Sequence, residues 1–541
     1  MSSSGPFFSD DFPSSSRITL VKSFTVIGVI LLGFLVRLYA CIYTSIINPD
    51  GTLYIHQARA IYYGVWDQLT TCSLSYVSAY PPLIAAAYPL FHDWINAARF
   101  VSLFFSTMSI VPAYLLLRRF FPFHVSISGT LIFALTPTFI AGTADVIKEP
   151  FAWFFVLLGL FLFIRHLENK NFIHAVLCSL SYLIASWERP ETFLFFCVSG
   201  IYLLFVERGR KAWRLFSYFS PVVVVILVGA IGAKFLGISL SDLYRMKEML
   251  SKASEPFAIY RSVSINLQSL IRQTQIQYLR LFLEQTRHLI WAVALATVVS
   301  YVVEAFFYPF FLFFLIGLKG LGAMLKNDKR ALYLALLTFS SVVLLYLNML
   351  QSWFGTARFM YLVILPALAF VAAGLEKTIR FLTDRFKLSP ATVVSMLFCF
   401  ILLFGLPNDL KPRETDKLVF KQMGEFIEKR ENSTTPIKVF ASPHAIRWIS
   451  FYANLHLPGA PCPEPYRDFT GIIGKDYDEF VSNLASDGIM YFVWEEKRWP
   501  VQAFDFIKKM NPEHFQLLLT KYHQDTGKML LFRFRAPPKK S

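Results

Sequence analysis

The chain has 541 residues, 55% of them hydrophobic, with 56 Phe and only 16% charged residues, against roughly 25% charged in soluble domains. Several stretches of roughly 18–25 apolar residues can each cross a bilayer as a helix, which excludes a soluble globular protein. The net charge of +16 does not indicate nucleic acid: Asn408 to Ser541 carries 20 Lys+Arg against 17 Asp+Glu, and the other 13 surplus charges lie in the membrane half, mostly in short loops, as the positive-inside rule requires.

Residues 1–17 read as a disordered, Ser/Pro-rich cytoplasmic start. Eleven spans follow, at 18–44, 94–118, 125–142, 150–166, 172–187, 191–206, 214–237, 289–318, 331–350, 358–376 and 391–407. The first is too long for a signal peptide and lacks a convincing cleavage site, so it reads as a retained anchor. The span at 289–318 is long enough to be a tilted helix or a broken pair. With the N-terminus inside, the inner segments hold 18 basic residues, whereas the short outer loops hold Arg59, Lys148, Arg189 and Arg358. The chain is therefore expected to be an α-helical polytopic membrane protein with a membrane domain over 18–407.

Two longer segments fall outside, 45–93 and 238–288. "TLYIHQARAIYYG" and "YPPLIAAAYPLF" in the first read as short helices in or near the membrane interface. "LQSLIRQTQIQYLRLFLEQTRHLI" in the second is amphipathic and fits the membrane surface. From 408 to 541 the chain becomes soluble in character, and the odd number of spans puts this tail outside. "DKLVFKQMGEFIEKR" reads as a helix, "IKVFAS" as a strand and "PHAIRWISFYAN" as a helix. "YDEFVSNLASDGIMYFVWEE" reads as helix then strand, and "FQLLLTKYHQDTGKMLLFRF" as a hairpin turning at Asp525-Thr526-Gly527. The tail is thus a small extracytoplasmic α/β domain. Cys72 and Cys462 both fall outside and could pair, although no spacing rule supports a bond; no cysteine shows metal-type spacing. Asn432-Ser433-Thr434 reads as an incidental sequon.

The polar motifs at span ends gather on the outer side. Asp50 in "PDGT" has two readings, a helix N-cap or a base that takes a proton from an acceptor hydroxyl at the membrane boundary. His56, on the helix that follows, reads first as a packing residue. In "TADVIKEPFAWFF", Pro150 and Glu149 suit a helix start, which leaves Asp145 and Lys148 unexplained. In "SWERPETFLF", Glu188, Arg189 and Glu191 flank Pro190. Arg358 in "SWFGTARFMYLVILPALAF" either snorkels to the headgroups or binds phosphate as a guanidinium. Arg37 and Arg99 carry the same two readings. Acids and arginines on one membrane face suit a substrate with a lipid tail and a phosphate head, displaced at the carbon that bears the phosphate.

At these residues the chain resembles the polyprenyl-phosphate-sugar-dependent glycosyltransferases of the type C membrane fold, nearest the protein O-mannosyltransferase and aminoarabinose transferase group. The ordered motifs are an Arg closing the first span, "PDGTLYIHQARAIYYG", "YPPL", "AARFVSLFFSTMSIVPAYLLLRRF", "ADVIKEPFAWFF", "RPE" and "ARFMYLVILPALAF", then an extracytoplasmic α/β domain. The resemblance implies Asp50 as base, Asp145 or its rival Glu149 in support of acceptor or donor, and Arg358 on the lipid phosphate, with inversion by single displacement. Arg189, Lys148 and Arg37 are further candidates for the phosphate, and His56, Tyr80, Glu188 and Glu191 for positioning acceptor or donor. Gly51 stands where the family often has a second acid, Tyr80 where a basic residue precedes Pro-Pro, and Phe359 where Tyr often follows the arginine. These departures leave the sugar and the acceptor open: a glycan, a glycolipid or a protein. No Asp/Glu/His set resembles the metal motifs of oligosaccharyltransferases, so a metal-independent enzyme without cofactor is expected. A bacterial plasma membrane is expected too, because the chain lacks the extra lumenal domain of eukaryotic relatives. A transporter or flippase is the rival reading; it predicts charges near the midplane and repeated halves, neither of which the sequence displays. A membrane scaffold presenting the tail would leave the acids at 50 and 145–149 without a role.

Overall fold

A computed structural model describes residues 16–72, 74, 76–205, 211–236, 257–353, 355–431, 435–464 and 468–537. Most of the expected N-terminal stretch, Arg208, Arg210, the outer segment "SLSDLYRMKEMLSKASEP" and the 432–434 sequon lie outside the described residues.

Six described helices are long and apolar enough to cross a membrane: Leu20–Tyr43, Trp94–Leu117, Glu149–Asn169, Lys329–Ser352, Ala357–Phe386 and Pro390–Asp409. Three bent pairs raise the number to nine. Length and hydropathy among the described residues therefore give six to nine and do not reach the expected eleven: Phe172–Glu188 and Pro190–Phe205 are apolar but shorter, and Trp213–Val228 is part of the longer helix Lys211–Leu236. The 289–318 segment is broken into Ile290–Phe306 and Tyr308–Leu318 at Phe307, whose φ is 66°. Pro309 follows, and a proline without an N–H cannot carry a helix through. Pro137 acts similarly in the 45° bend between Phe123–Ala134 and Pro137–Ala144. Apolar helices of this length and number, many with charged ends, make an integral membrane protein.

Helix Glu149–Asn169 runs between two polar clusters. At its far end Arg330 meets Glu168 at 2.6 Å and Asp328 at 2.8 Å, and Arg119 also pairs with Glu168. Lys377 donates to the Gly317 carbonyl at 2.9 Å in the same direction along the bundle. At its near end Glu149 meets arginines. In the interior, hydroxyl groups satisfy one another: Tyr333 bonds Tyr182 at 2.9 Å and Ser199 at 2.7 Å, as buried polar groups in an apolar interior must.

The tail forms a four-stranded sheet in the order β1-β2-β4-β3, with β1 Val439–Phe440, β2 Tyr491–Glu495, β3 Phe515–His523 and β4 Gly527–Phe534. β1 and β2 are parallel; β2–β4 and β3–β4 are antiparallel. Gly527, at φ 71°, closes the hairpin turn, a backbone state that glycine adopts without cost. The helix Ile446–Ala453 docks this unit on the helix Pro49–Tyr63. Trp448 donates its indole N–H to the Ile47 carbonyl at 2.7 Å, and Arg59 donates to the carbonyls of Asn454 and Leu457. Cys72 and Cys462 are disulfide-bonded, with Cα atoms 5.5 Å apart. Under this cover Gly51 to Ala60 are all buried, so the helix expected in or near the membrane interface is enclosed by protein, as a layer between bundle and tail.

Two glycines set one close helix crossing. A Cβ on Gly317 would strike the Phe370 carbonyl, and one on Gly374 would strike that of Phe313, so Tyr308–Leu318 and Tyr361–Phe386 pack backbone to backbone, as small residues permit within membranes. Gly374→Val is expected to abolish the folded, monodisperse protein in detergent, read by size-exclusion chromatography, whereas Gly322→Val, with open space around its Cβ, is expected to leave the profile unchanged.

Candidate functional site

A cavity of about 710 Å³ opens at the end of the bundle that the tail covers. Asn48, Asp50, Thr138, Asp145, Glu304, Thr356, Arg358, Asn408 and Arg413 supply its polar lining, with Phe307 and Tyr308 from the broken span and Pro137, Ala141, Gly142 and Ile147 beside them. The breaks at Pro137 and Phe307 thus stand at its rim, where they interrupt helix ladders and open space.

Asp50 lies in the first turn of Pro49–Tyr63, but the helix is capped by Asn48, whose side chain accepts the Asp50 N–H at 3.0 Å. The carboxylate is left free of the capping role and faces two guanidiniums. Arg358 Nη1 donates to Oδ2 at 3.1 Å, and Arg447 Nη1 donates to Oδ1 at 3.2 Å. Arg447 comes from the tail and is itself held by Glu464 at 2.8 Å. Asp50 keeps 28% of its side chain exposed, so it is reachable from the cavity.

Glu149 is the counterpart beneath. Its carboxylate is fully buried, pairs with Arg189, and stands 3.6 Å from Arg358 Nε. No side-chain cap bond forms at that helix start; the acid aims arginines instead. Removing one member of such a buried pair costs about 3–5 kcal/mol, so Glu149 is bound up with the integrity of the site. Arg189 and Arg358 lie over the Phe359 ring, 5.3 and 5.2 Å from its centroid, contacts that hold the two cations side by side.

Asp145 enters the same cavity from the segment between Pro137–Ala144 and Glu149–Asn169. Its carbonyl accepts the Asn48 N–H at 2.9 Å, which ties this segment to the first outer loop. A Cβ on Gly51 would lie 2.7 Å from the Val146 carbonyl, so the contact leaves no room for a second acid after Asp50. Burial, with the Glu414 carboxylate next, pushes the Asp145 carboxyl up to about 6 against the pull of Arg413, Lys417 and Arg358.

The remaining candidates lie elsewhere. Lys148 is buried under the rings of Tyr54 and Tyr76 and donates to the Tyr76 hydroxyl; burial, then Arg189, pushes its ammonium down. Arg37 is fully buried and spends its donors on Ser106 at 2.8 Å and the carbonyls of Gly33 and Ala134. Arg99 donates to the Thr44 carbonyl at 2.7 Å. His56 faces the Gln68 carbonyl at 3.1 Å, and burial pushes it down to about 4, so it is neutral near pH 7. Glu188 accepts the N–H groups of Ala79 and Tyr80, and the Tyr80 hydroxyl pairs with Ser102 at 2.6 Å. Glu191 lies 3.9 Å from Arg189. None of these lines the cavity.

Arg447, Arg413, Glu464 and Glu304 were not singled out by sequence reasoning. Arg447 is a lone cation in the apolar helix "IRWISFYA", which is a signal of a kind, but nothing local connects it to a partner 397 positions away.

Family profiles match no part of the chain, and no curated protein matches it. Solved structures do. ArnT from Cupriavidus metallidurans bound to undecaprenyl phosphate superposes with a TM-score of 0.56 at 12% identity over 97% of this chain and 100% of that one. Its apo state gives the same values. The Archaeoglobus fulgidus oligosaccharyltransferase tethered with an acceptor peptide gives 0.52 at 11% identity over 96% and 75%. The chain therefore has the type C glycosyltransferase fold that these two proteins share.

An acid raised in the folded state is favoured protonated, so the Asp145 contribution to stability is greatest below its unfolded value and declines as pH climbs toward 6 and beyond. Asp145→Asn removes that dependence. Thermal-shift curves are expected to show the variant gaining on the wild type between about pH 4 and pH 7; a constant difference across that window would contradict the assignment.

Proposed function

We propose that this chain transfers a monosaccharide from a polyprenyl-phosphate carrier to an acceptor hydroxyl. The observation that carries the reading is the Asp50 carboxylate, exposed to a cavity and held between Arg358 and Arg447. The fold supports it, since ArnT of this fold is solved with undecaprenyl phosphate bound.

The chemistry follows from the groups present. Asp50 takes the proton of the acceptor hydroxyl, whose oxygen attacks the sugar's anomeric carbon. The bond from that carbon to the phosphate oxygen breaks, and its electron pair leaves with the polyprenyl phosphate. Arg358, with Arg447 and Arg413 near it, takes up the charge that grows on the departing oxygens. A single displacement inverts the anomeric carbon. Asp145, protonated part of the time near pH 6, supplies a hydrogen bond to acceptor or sugar. Glu149 and Arg189 position Arg358 and do not touch the reacting atoms. Lys148, Arg37, His56, Tyr80, Glu188 and Glu191 support the walls.

In this reading the reaction runs on the extracytoplasmic face of the membrane. The argument is charge: the basic cluster around Arg119, Arg330 and Lys377 lies at the opposite end of the bundle, the end that the positive-inside rule keeps in the cytoplasm.

In membranes supplied with sugar-loaded undecaprenyl phosphate, Asp50→Asn is expected to lower release of the free carrier by about 10²–10⁴-fold. Transfer near the wild-type rate would remove Asp50 as base. Arg358→Gln, which keeps a donor but loses the charge, is expected to raise the donor KM and lower kcat together; a change in neither would detach Arg358 from the phosphate.

A further inference from the structure

Away from the cavity, the tail gathers His444, His523 and Asp525, with one possible ligand atom from each within 4.8 Å of the others. They come from separate elements. His444 stands ahead of the helix Ile446–Ala453, His523 ends β3, and Asp525 lies in the β3–β4 turn. His523 is 2% exposed, and the Nε2 atoms of both imidazoles are buried without a hydrogen bond. Buried polar atoms are normally satisfied, and an exception calls for a partner.

We propose that these three residues hold a divalent transition metal of the zinc class, through Nε2 of His444, a ring nitrogen of His523 and a carboxylate oxygen of Asp525, with water completing the set. Two imidazoles and one carboxylate suit zinc, whereas calcium and magnesium favour oxygen donors. Asp416 Oδ2 lies 3.6 Å from His523 Nε2. It is placed as the outer carboxylate that commonly orients a ligating imidazole, which turns Nδ1 toward the ion. Nδ1 now accepts the Asp525 N–H at 3.2 Å, a contact the ion replaces. Zinc bonds of about 2.0–2.2 Å require the ligand atoms to draw together, and the exposed turn that carries Asp525 can move to supply this. Arg498 and Lys417 also face His444 and oppose a cation; Asp416 and Asp525 offset them.

None of the three lines the cavity, so the ion would act as a clasp. It would fix the loop before the Arg447 helix to the hairpin and the segment at Asp416. This inference does not depend on the transferase reading.

The test uses the full chain in detergent, purified without a polyhistidine tag, stripped with a chelator and titrated with Co²⁺ alone. Visible d–d bands that zinc abolishes are expected in the wild type. Asp525→Asn is expected to weaken Co²⁺ binding by about tenfold or more, and His444→Ala and His523→Ala to abolish the bands. Because Asp525 is exposed, its variant is expected to fold even where a histidine variant does not. Absence of bands in the wild type, or bands unchanged in Asp525→Asn, overturns the proposal.

Discussion

The structure turns on one carboxylate shared by two guanidiniums from different parts of the molecule. Asp50 receives Arg358 from the membrane bundle and Arg447 from the tail. Coulomb attraction near a protein surface is worth a few kcal/mol per pair at most once solvent screens it, so the two contacts do not hold bundle and tail together. The Trp448 and Arg59 bonds, the apolar layer under them and the disulfide do that. What the carboxylate gains is orientation. It is kept at the cavity wall by cations that a phosphate also attracts.

The arginines need that arrangement as much as the acid does. A guanidinium at the edge of an apolar bundle is costly without a counter-charge. Glu149 supplies one for Arg189 and lies near Arg358, and Phe359 offers both cations its ring. The buried acid and the aromatic ring therefore fix cations that line or flank the cavity, while Asp50 and Asp145 remain open to it. Burial has separated the roles of these three carboxylates: Glu149 is enclosed, whereas Asp50 and Asp145 face the cavity.

Much of this was legible in the sequence where the signal was local. Hydropathy located the membrane half, and alternation and turn residues located the tail's helices, strands and hairpin, because those patterns repeat within a few residues. The gathering of Asp50, Asp145 and Arg358 was readable from their common position at span ends. Other features depended on distant chain. The burial of the helix at 49–63 was not readable because its cover lies some 400 positions later. Lys148 and Arg37 looked like phosphate ligands because a sequence does not reveal Tyr76, Ser106 or the carbonyls that occupy them. The 289–318 span held its own clue in Pro309, but only the φ of Phe307 locates the break.

Arg447 has a consequence for how the protein comes into being. Asp50 leaves the ribosome 397 residues before the guanidinium that completes its surroundings. The bundle can insert and bury its helices well before then, yet Asp50 lacks its second guanidinium, and the helix at 49–63 its cover, until the tail has been synthesised and folded onto them. A prematurely ended chain thereby keeps Arg358 beside Asp50 but lacks Arg447, so the charge around this carboxylate is completed only late in biogenesis.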